Sequence, residues 1–428
     1  IGSTCSSCGS PRFKRDYDAI FNNGFDFRKA NEIRFLIEKK PTSRKIWSLL
    51  EDLGIDIEAY NRDDFPIIEQ ILAEKQHTYF DTVIMDEASK ATPPEMVLPL
   101  CFGKKSIIIG DHKQLPPMIN DREFKEVLIE EAEDEKLANE IGHNYLKESQ
   151  FKRLIANPKV SSTIRATFDV QYRMYSQIGA LIQQFYPELE NGLICGIEAE
   201  EDVEDLNNKA SRHHGLYHEG FIKPNNHVVW VDVPEPEAKD GTSRVNETEV
   251  EIVKQVLNYL KNSDGYEDFQ NHWEKETDTD KRLQEQEIGI ISFYGKQVRK
   301  LNEVRKYAQK ELDMKIRLKT VDKFQGMERN IIIVSTVRSD KIIDLGTGEA
   351  VPNVRGREGR NYSPWGFADS PERLNVALSR ARRLLIVVGN RRHFENFKNK
   401  EGVAIYENVI NQIPPENIID YRTLNKYQ

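Results

Sequence analysis

The sequence predicts an α/β protein with parallel sheets, divided into two domains. The chain has 428 residues, which is too long for one ordinary hydrophobic core. Short runs rich in β-branched residues recur along it and alternate with segments of helical spacing, a pattern typical of parallel sheets covered by helices. Two of the runs, TVIMDEAS and SIIIGDHKQ, end at a carboxylate, as strands do where a parallel sheet meets its ligand.

The first predicted domain covers residues 1–165. Its strands begin at Thr82 and Ser106, and two segments of helical spacing, 12–76 and 121–154, are interpreted as helical insertions. A phosphate-binding loop of the form G-x-x-x-x-G-K-[ST] precedes the Asp-Glu strand in P-loop enzymes, and this sequence has no such string. We therefore expect the domain to be incomplete at its amino-terminal side and the chain to be the carboxyl-terminal part of a longer protein.

The second predicted domain covers residues 166–428. Four strands, VVWVDVP, EIGIISFYG, NIIIVSTVRS and RLLIVVGN, alternate in it with amphipathic helices. Two polar, turn-rich segments, 263–286 and 341–363, are predicted to be exposed insertions. The alternation of strands and helices indicates a parallel sheet with helices on both faces.

The negative net charge of the chain does not exclude a partner that carries phosphates. The net charge is −9, yet one basic groove on an acidic protein is enough to bind phosphates, because charge acts locally. No apolar run is long enough to span a membrane, so we expect no membrane partner. The four cysteines favour a reducing compartment, hence a cytoplasmic protein, or a nuclear one in a eukaryote.

The two cysteines near the start form a C-x-x-C pair, Cys5 and Cys8. Such a pair is typical of half a zinc site or of a redox pair. Cys101 and Cys195 stand alone, and no further histidine or cysteine string completes a metal set. Plain buried or loop thiols are therefore the favoured interpretation.

The acidic pair after the first strand, Asp86 and Glu87, is the first candidate catalytic group. Adjacent acids often cap a following helix, which is the structural alternative. As a functional pair, Asp86 would hold Mg²⁺ directly or through water, and Glu87 would accept the proton of an attacking water. The second string beside it favours the functional interpretation.

Gln114 follows the neighbouring strand in GDHKQLPP. Its amide can reach both a terminal phosphate and the attacking water, and it orients them without titrating. The prolines Pro116 and Pro117 stiffen the loop beyond it. Such a loop is suited to coupling hydrolysis to movement.

Six strings, DEAS, GDHKQLPP, QYRM, ISFYGKQ, TVDKFQGME and RLNVALSRARR, follow one another between Thr82 and Asn390. In content and order they resemble motifs II to VI of superfamily-1 nucleic-acid helicases, in the subgroup that includes the nonsense-mediated-decay helicase and senataxin. The resemblance implies two RecA-like domains, ATP and Mg²⁺ as cofactors, and single-stranded DNA or RNA as partner. It also implies that the missing amino-terminal part of the protein completes the ATP site.

The resemblance assigns a role to two arginines that spacing alone does not single out. Arg173 of QYRM and Arg380 of ALSRAR match the two arginines that reach the γ-phosphate from the second domain. A guanidinium that is always charged stabilises the charge that builds on the transferred phosphoryl group. A surface ion pair is the structural alternative for each arginine.

TVDKFQGMERN contributes three further candidates. Thr320 stands at a strand end, where its hydroxyl can bond a nucleic-acid phosphate, and Gly326 stands where the backbone must come close to the nucleotide. Glu328 matches the family position that reaches the nucleotide ribose. Asp322 is either part of this site or a helix cap.

The resemblance also implies contacts with the nucleic-acid strand. Ser292 and Tyr294 of ISFYGKQ stand for the threonine and tyrosine of the family string, although Phe293 replaces its proline. Pro116, and Thr4 in the short string GSTC, are further candidates for this surface. In the insertion 341–363, the string VRGREGR is interpreted either as a flexible arm that follows phosphates or as a solvated loop.

The leading hypothesis is an ATP-dependent helicase or translocase that moves 5′ to 3′ on single-stranded nucleic acid. A regulatory module that binds nucleic acid without turnover is the alternative, because the chain has no phosphate-binding loop. A two-metal nuclease is disfavoured, since no cluster of acids and lysine occurs outside the helicase strings.

Overall fold

The computed structural model divides the chain into two compact units. The first unit consists of residues 1–112 and 116–161, and the second of 113–115 and 162–428. The main part of the second unit begins at residue 162, whereas the sequence predicts that the second domain begins at residue 166. The residues that the structure describes are 27–39, 44–53, 80–117, 149–197, 212–241, 243–275, 287–344, 346–353, 365–395, 398–399 and 402–424. Thr4, Cys5 and Cys8 lie outside them.

The first unit contains a pair of parallel strands with short helices around it. Its described helices and strands are α1 (Phe27–Lys39), α2 (Arg44–Asp52), β1 (Phe80–Met85), α3 (Pro93–Leu100), β2 (Gly103–Ile108) and α4 (Gln150–Ala156). Helices α1 and α2 lie within the predicted insertion 12–76, and α4 begins within the insertion 121–154. Strands β1 and β2 pair in parallel with Met85 opposite Ile108, so their carboxyl ends lie side by side.

The two strands of this unit are less buried than the sequence predicts. Ile84 is 65% exposed and Ile107 is 50% exposed. Two strands alone cannot bury both faces of a sheet, and Met85 is nevertheless buried with Ala88, Met96 and Phe151 in a small cluster. Helix α3 begins with a capping box, because the Thr92 backbone N–H donates to the Glu95 carboxylate at 3.0 Å.

The second unit is built around a six-stranded parallel sheet. The described strands and longer helices of this unit are β3 (Val170–Gln171), α5 (Ser176–Ile182), β4 (Ile194–Cys195), β5 (Val228–Asp232), β6 (Glu237–Asp240), β7 (Ser243–Val245), α6 (Glu247–Lys261), α7 (Tyr266–Lys275), β8 (Ile288–Ser292), α8 (Gly295–Glu311), β9 (Ile316–Thr320), α9 (Val321–Phe324), β10 (Arg329–Ser335), β11 (Lys341–Ile343), β12 (Ala350–Pro352), α10 (Pro371–Leu378), β13 (Ala381–Gly389), α11 (Arg391–Glu395), α12 (Ile405–Ile410), β14 (Ile418–Asp420) and α13 (Tyr421–Leu424). The strand order is β14-β5-β13-β10-β8-β9.

Both faces of this sheet are covered, as expected for a parallel α/β sheet. One core contains α5, α10 and α12 together with Trp230 and Trp365. The other contains α6 and α8 and the residues of the sheet that point to the opposite face. The central strand β10 is buried along almost its whole length, since only Arg329 at its start is partly exposed. The four strands predicted in this domain are therefore present as β5, β8, β10 and β13.

The two predicted insertions of this domain carry more structure than exposed loops. The first part of segment 263–286 forms α7, whose Tyr266 and Phe269 are buried in the second core. Within segment 341–363, β11 and β12 form an antiparallel pair, and β11 joins β6 in a small four-stranded sheet. The string VRGREGR, residues 354–360, lies outside the described residues.

No helix among the described residues is both long enough and apolar enough to cross a membrane.

Candidate nucleotide and nucleic-acid site

The predicted magnesium and base residues stand directly after β1. Asp86 and Glu87 are both exposed. Glu87 has a φ of +54° and a ψ of +33°, a left-handed conformation, and its backbone N–H donates to the Asp86 carboxylate at 2.8 Å. The Ala88 N–H bonds the carbonyl of Ile109 at 2.9 Å, which fixes this turn to the end of β2. Few residues other than glycine adopt this backbone conformation without cost, so the turn holds strain at the predicted catalytic position.

These carboxylates fit the needs of Mg²⁺ beside a nucleotide. Among the described residues, no group of three or more histidine, cysteine, aspartate or glutamate side chains could enclose a metal. Mg²⁺ at a nucleotide site uses only one or two carboxylates, with phosphate and water supplying the other ligands. The exposed pair Asp86 and Glu87 can supply that donor set.

Arg173 lies at the turn that follows β3 and forms an ion pair with a second predicted site residue. Its Nε donates to Glu328 Oε2 at 2.7 Å, and its Nη1 donates to the Ser379 carbonyl at 3.4 Å. The other carboxylate oxygen of Glu328 is 3.7 Å from Arg382 Nε. The predicted γ-phosphate arginine and the predicted ribose carboxylate thus bind each other. Both side chains are more than a third exposed, so the pair is weak enough to exchange for other contacts.

Arg380 and Gln114 are also brought together, inside the second unit. Arg380 is only 1% exposed, and its Nη2 donates to Gln114 Oε1 at 3.4 Å and to Ser379 Oγ at 2.8 Å. Its Nε donates to the Val376 carbonyl at 3.1 Å, which ties the guanidinium to α10. One further bond holds the loop that carries Gln114, since Asn375 donates to the Lys113 carbonyl at 3.0 Å.

The segment after β9 presents Thr320 and Gly326 at the surface. Thr320 is partly exposed and precedes the short helix α9. Gly326 has a φ of +76°, and a β-carbon built there would meet no heavy atom within 4 Å, so a ligand can approach this backbone. Asp322 is not the cap of α9. It accepts from Arg373 Nε at 3.1 Å and Nη2 at 3.0 Å, which joins α9 to α10.

Ser292 and Tyr294 are placed differently from the prediction. The Ser292 side chain is fully buried and Tyr294 is only 3% exposed. The Tyr294 hydroxyl donates to the Trp365 carbonyl at 3.0 Å and lies 3.2 Å from Arg338 Nη1. This burial is at odds with a direct contact to nucleic acid, because a phosphate needs a hydroxyl that it can reach and a base needs an open ring face. Pro116, by contrast, is exposed.

A buried acidic network follows β10 and was not foreseen from the sequence. Glu249 is fully buried and accepts from Ser335 Oγ at 2.6 Å and from the Val337 N–H at 2.9 Å. Burial raises the pKa of Glu249 to about 8, against the lowering effect of these hydrogen bonds. Glu237, also buried, accepts from Arg338 Nε at 2.6 Å. Two buried acids therefore hold the segment that leads from β10 towards Tyr294.

Three histidines pack behind the Arg173 turn. The ring of His227 stacks on Tyr175 with centroids 3.4 Å apart, and His213 and His214 contact it edge-on. Burial lowers the pKa of His214 to about 4 and also lowers the pKa of His227. Both rings are thus neutral at neutral pH and act as packing groups.

Sequence reasoning missed Arg212, Asn375 and Arg382, which lie against the predicted site residues. Asn375 and Arg382 fall inside the string RLNVALSRARR, so a polar residue on a buried helix face was an available signal for Asn375. Arg212 stands in no string, and its partners are 39 and 40 positions away along the chain. No local pattern reveals such a contact.

Comparison with known proteins gives a consistent set of relatives. A family profile described as an AAA domain matches residues 146–392, and a second profile with the same description matches residues 69–122. The human DNA replication ATP-dependent helicase/nuclease DNA2 is 31% identical over 326 residues, which cover 72% of this chain and 24% of that protein.

Two further relatives carry different names. The DNA polymerase alpha-associated DNA helicase A of Saccharomyces cerevisiae is 28% identical over 346 residues, covering 75% of this chain and 40% of that protein. The Regulator of nonsense transcripts 1 homolog of Drosophila melanogaster is 28% identical over 320 residues, covering 73% and 21% respectively. The chain spans well under half the length of each of these relatives.

Proposed function

Since the chain belongs to the superfamily-1 helicases, in the group that includes the nonsense-mediated-decay helicase and senataxin, we propose that the complete protein moves along single-stranded nucleic acid by hydrolysing ATP. The observation that carries the proposal is the grouping of Arg173, Arg380 and Gln114 within one unit, next to Glu328. A cluster of two guanidiniums and one neutral amide matches the charge and hydrogen-bonding pattern of a γ-phosphate under attack by water.

Each site residue has a distinct task in this proposal. Asp86 would hold Mg²⁺, which when bound would supply positive charge to the phosphates of ATP. Glu87 takes the proton of the attacking water, and Gln114 orients that water. Arg173 and Arg380 stabilise the charge on the transferred phosphoryl group. Glu328 binds the ribose, and Gly326 lets the backbone approach the nucleotide.

Exchange of ion-pair partners supplies a means of coupling nucleotide binding to this chemistry. Glu328 Oε2 lies 2.7 Å from Arg173 Nε in an ion pair. A ribose that hydrogen-bonds Glu328 competes for the same carboxylate and frees Arg173 for the phosphate. Thr320 and Pro116 are the residues proposed to contact the strand, each within its own unit, and the strand moves 5′ to 3′ as ATP is hydrolysed.

Substitution of the predicted base tests the ATPase part of the proposal. In the complete protein, Glu87→Gln removes the proton acceptor but keeps the size of the side chain, so we expect turnover to fall by about 10²–10⁴-fold with ATP binding retained. Steady-state ATPase assays and equilibrium nucleotide binding measure the two quantities. Glu95→Gln is the matched control, because glutamine also completes the capping box of α3. Unchanged hydrolysis in Glu87→Gln would show that the base is another residue.

Strand-displacement assays test the movement and its direction. Duplexes with a 5′ or a 3′ single-stranded tail, made of DNA or of RNA, are mixed with the complete protein and ATP. We expect unwinding of the 5′-tailed duplexes only. Binding of single strands without ATP turnover or displacement would instead support a regulatory module that binds nucleic acid.

A further inference from the structure

We propose that Arg212 is a positioning residue that fixes the turn carrying Arg173, and that the short segment formed by Arg212 and His213 links this turn to the strand after Arg380. The inference rests on the proposed function, since it gives a task to a residue only in relation to the two arginines of the ATP site. Arg212 lies in none of the strings that carry the resemblance to helicases.

The Arg212 side chain forms hydrogen bonds with the main chain of the Arg173 turn. Its Nε donates to the Arg173 carbonyl at 2.7 Å, and its Nη2 donates to the Tyr172 carbonyl at 2.9 Å. Arg212 itself is only 8% exposed. A guanidinium removed from water must be hydrogen-bonded, so these two carbonyls are strong and directional partners. The planar fork of arginine holds two consecutive peptide groups in one fixed orientation.

The side chain of Gln171, at the start of the same turn, also forms hydrogen bonds with its main chain. Gln171 Oε1 accepts from the N–H groups of Arg173 and Met174, each at 2.8 Å, and its amide donates back to the Met174 carbonyl. Gln171 therefore fixes the N–H groups of the turn while Arg212 fixes its carbonyls. The Arg173 side chain, by contrast, is 36% exposed and can change partners.

The neighbouring residue extends the link towards Arg380. Arg383 donates to the His213 carbonyl, and its Nε donates to Asn330 Oδ1 at 3.2 Å. The Tyr175 N–H bonds the Arg382 carbonyl at 2.9 Å. The residues that follow Arg173 and those that follow Arg380 are thus tied to each other and to the segment at 212–213. The side chains of Arg173 and Arg380 therefore extend from backbone segments that are hydrogen-bonded to one another.

The physical consequence is that a rigid backbone turn carries the mobile guanidinium of Arg173. Arg173 must leave Glu328 and reach the phosphate in one defined geometry, and a displacement of about 1 Å can cost about 10²-fold in rate. Fixing the peptide groups limits this movement to rotations of the side chain. Removal of the Arg212 guanidinium therefore harms the transition state more than it harms nucleotide binding.

The test compares Arg212→Gln and Arg212→Lys with the wild type in the complete protein. We expect Arg212→Gln to lower kcat by about tenfold or more, with the Michaelis constant for ATP within about twofold of the wild type. Affinity for ADP with aluminium fluoride, which mimics the transferred phosphoryl group, should fall by a similar factor, whereas affinity for ADP alone should not. Arg212→Lys keeps the positive charge and can still donate to a carbonyl, but it lacks the planar fork, so its losses should be smaller than those of Arg212→Gln.

Two controls separate positioning from a general loss of structure. Arg305→Gln removes an arginine of α8 that bonds only the nearby Asn302 among the contacts described, and it should leave every quantity unchanged. In an Arg173→Ala background, Arg212→Gln should add little, because the side chain that it positions is already absent. Thermal unfolding shows that each variant is folded before the kinetics are compared.

The outcomes are distinguishable. A folded Arg212→Gln variant with unchanged kcat would overturn the inference, as would equal losses for ADP and for the aluminium fluoride complex, or a full additional loss in the Arg173→Ala background. These results leave the proposed ATPase standing if the wild type hydrolyses ATP. A wild-type protein without hydrolysis would overturn both.

Discussion

At the scale of single residues, Glu87 combines an exposed carboxylate with a left-handed backbone. For a residue with a β-carbon this conformation costs about 1–2 kcal/mol relative to the right-handed one, and glycine avoids that cost. The side chain is exposed, so its loss removes little packing. The residue proposed as the base therefore lowers the stability of the unit in which it stands.

A pair of substitutions at this position measures the cost. We expect Glu87→Gly to be more stable than Glu87→Ala by about 1 kcal/mol, because only the alanine retains a strained β-carbon. Urea unfolding of both variants gives the difference. At Lys90, in the 3₁₀ turn Ala88–Lys90, the order should reverse, since no left-handed conformation is required there. Equal stabilities of the two Glu87 variants would show that the turn relaxes to another conformation.

The positions of candidate residues could be predicted from the sequence only as far as local strings reach. Asp86 and Glu87 follow β1 directly and Gln114 lies beyond the end of β2, as their strings predict, whereas Arg380 lies between α10 and β13 and was singled out only by the family resemblance. The partner of Arg173 could not be predicted, because Glu328 lies 155 positions away. The burial of Tyr294 could not be predicted either, since an aromatic ring suits both a core and a base-stacking surface.

At the scale of elements, the segment after β10 shows how buried acids fix a loop. Val337 has a φ of +74°, which is an outlier for a β-branched residue. Its N–H points to the Glu249 carboxyl group, and both Glu249 oxygens lie 2.9 Å from it. The hydrogen bonds to Glu249 thus offset the strain of Val337 and set the direction in which the chain leaves the sheet.

This arrangement predicts a pH dependence of stability. The folded-state pKa of Glu249 is about 8, above its unfolded value of 4.5, so the folded state binds this proton more tightly. The stability that Glu249 contributes is present below pH 4.5 and is lost as the pH rises to 8, by about 4 kcal/mol in total. Glu249→Gln, which is neutral at every pH, should lack this loss and should be more stable than the wild type at pH 8.

Urea unfolding of the wild type and of Glu249→Gln between pH 5 and pH 8 provides the measurement. Glu251→Gln is the matched control, because Glu251 is exposed on the same helix and should leave the pH profile unchanged. Parallel profiles for the wild type and Glu249→Gln would mean that water or a structural change reaches the buried carboxyl group.

The elements themselves could largely be predicted, because periodicity is a local property. The spacing of ETEVEIVKQVLNYLKN predicts a helix over residues 247–262, and the observed α6 (Glu247–Lys261) ends one residue earlier. Thr320 ends β9 as predicted. The strands β6, β7, β11 and β12 were not predicted. Each has only three or four residues, too few to show a clear alternation, and the pairing of β6 with β11 joins segments about a hundred positions apart.

At the scale of the whole molecule, the second unit holds its own hydrophobic cores. Both large cores consist of residues of this unit, including Leu115 from the short segment 113–115. Burial of each large aliphatic side chain contributes about 1.5–3 kcal/mol, and the cores contain dozens of them. The parallel sheet is closed on both faces within the unit.

We therefore expect residues 162–428 to fold as an independent fragment. Its far-ultraviolet circular dichroism and its tryptophan fluorescence should be lost in one cooperative transition, because Trp230 and Trp365 are both buried in the same core. A shorter fragment, 162–404, removes Tyr406 and the other α12 residues from that core and should lose the cooperativity. Gradual melting of 162–428 itself would show that its stability depends on residues outside the fragment, among them Leu115.

The small sheet formed by β6, β7, β11 and β12 has a consequence for the order of folding. The parallel pairing of β6 with β11 closes a loop of about a hundred residues, which costs more chain entropy than the local hairpin of β11 and β12. The pairing can stabilise the chain only after β5 and β10 have both joined β13 in the large sheet, because β5 leads into β6 and β10 leads towards β11. We therefore expect this sheet to form after the large sheet and to open before it, so its amide hydrogens should exchange with solvent well before those of β10.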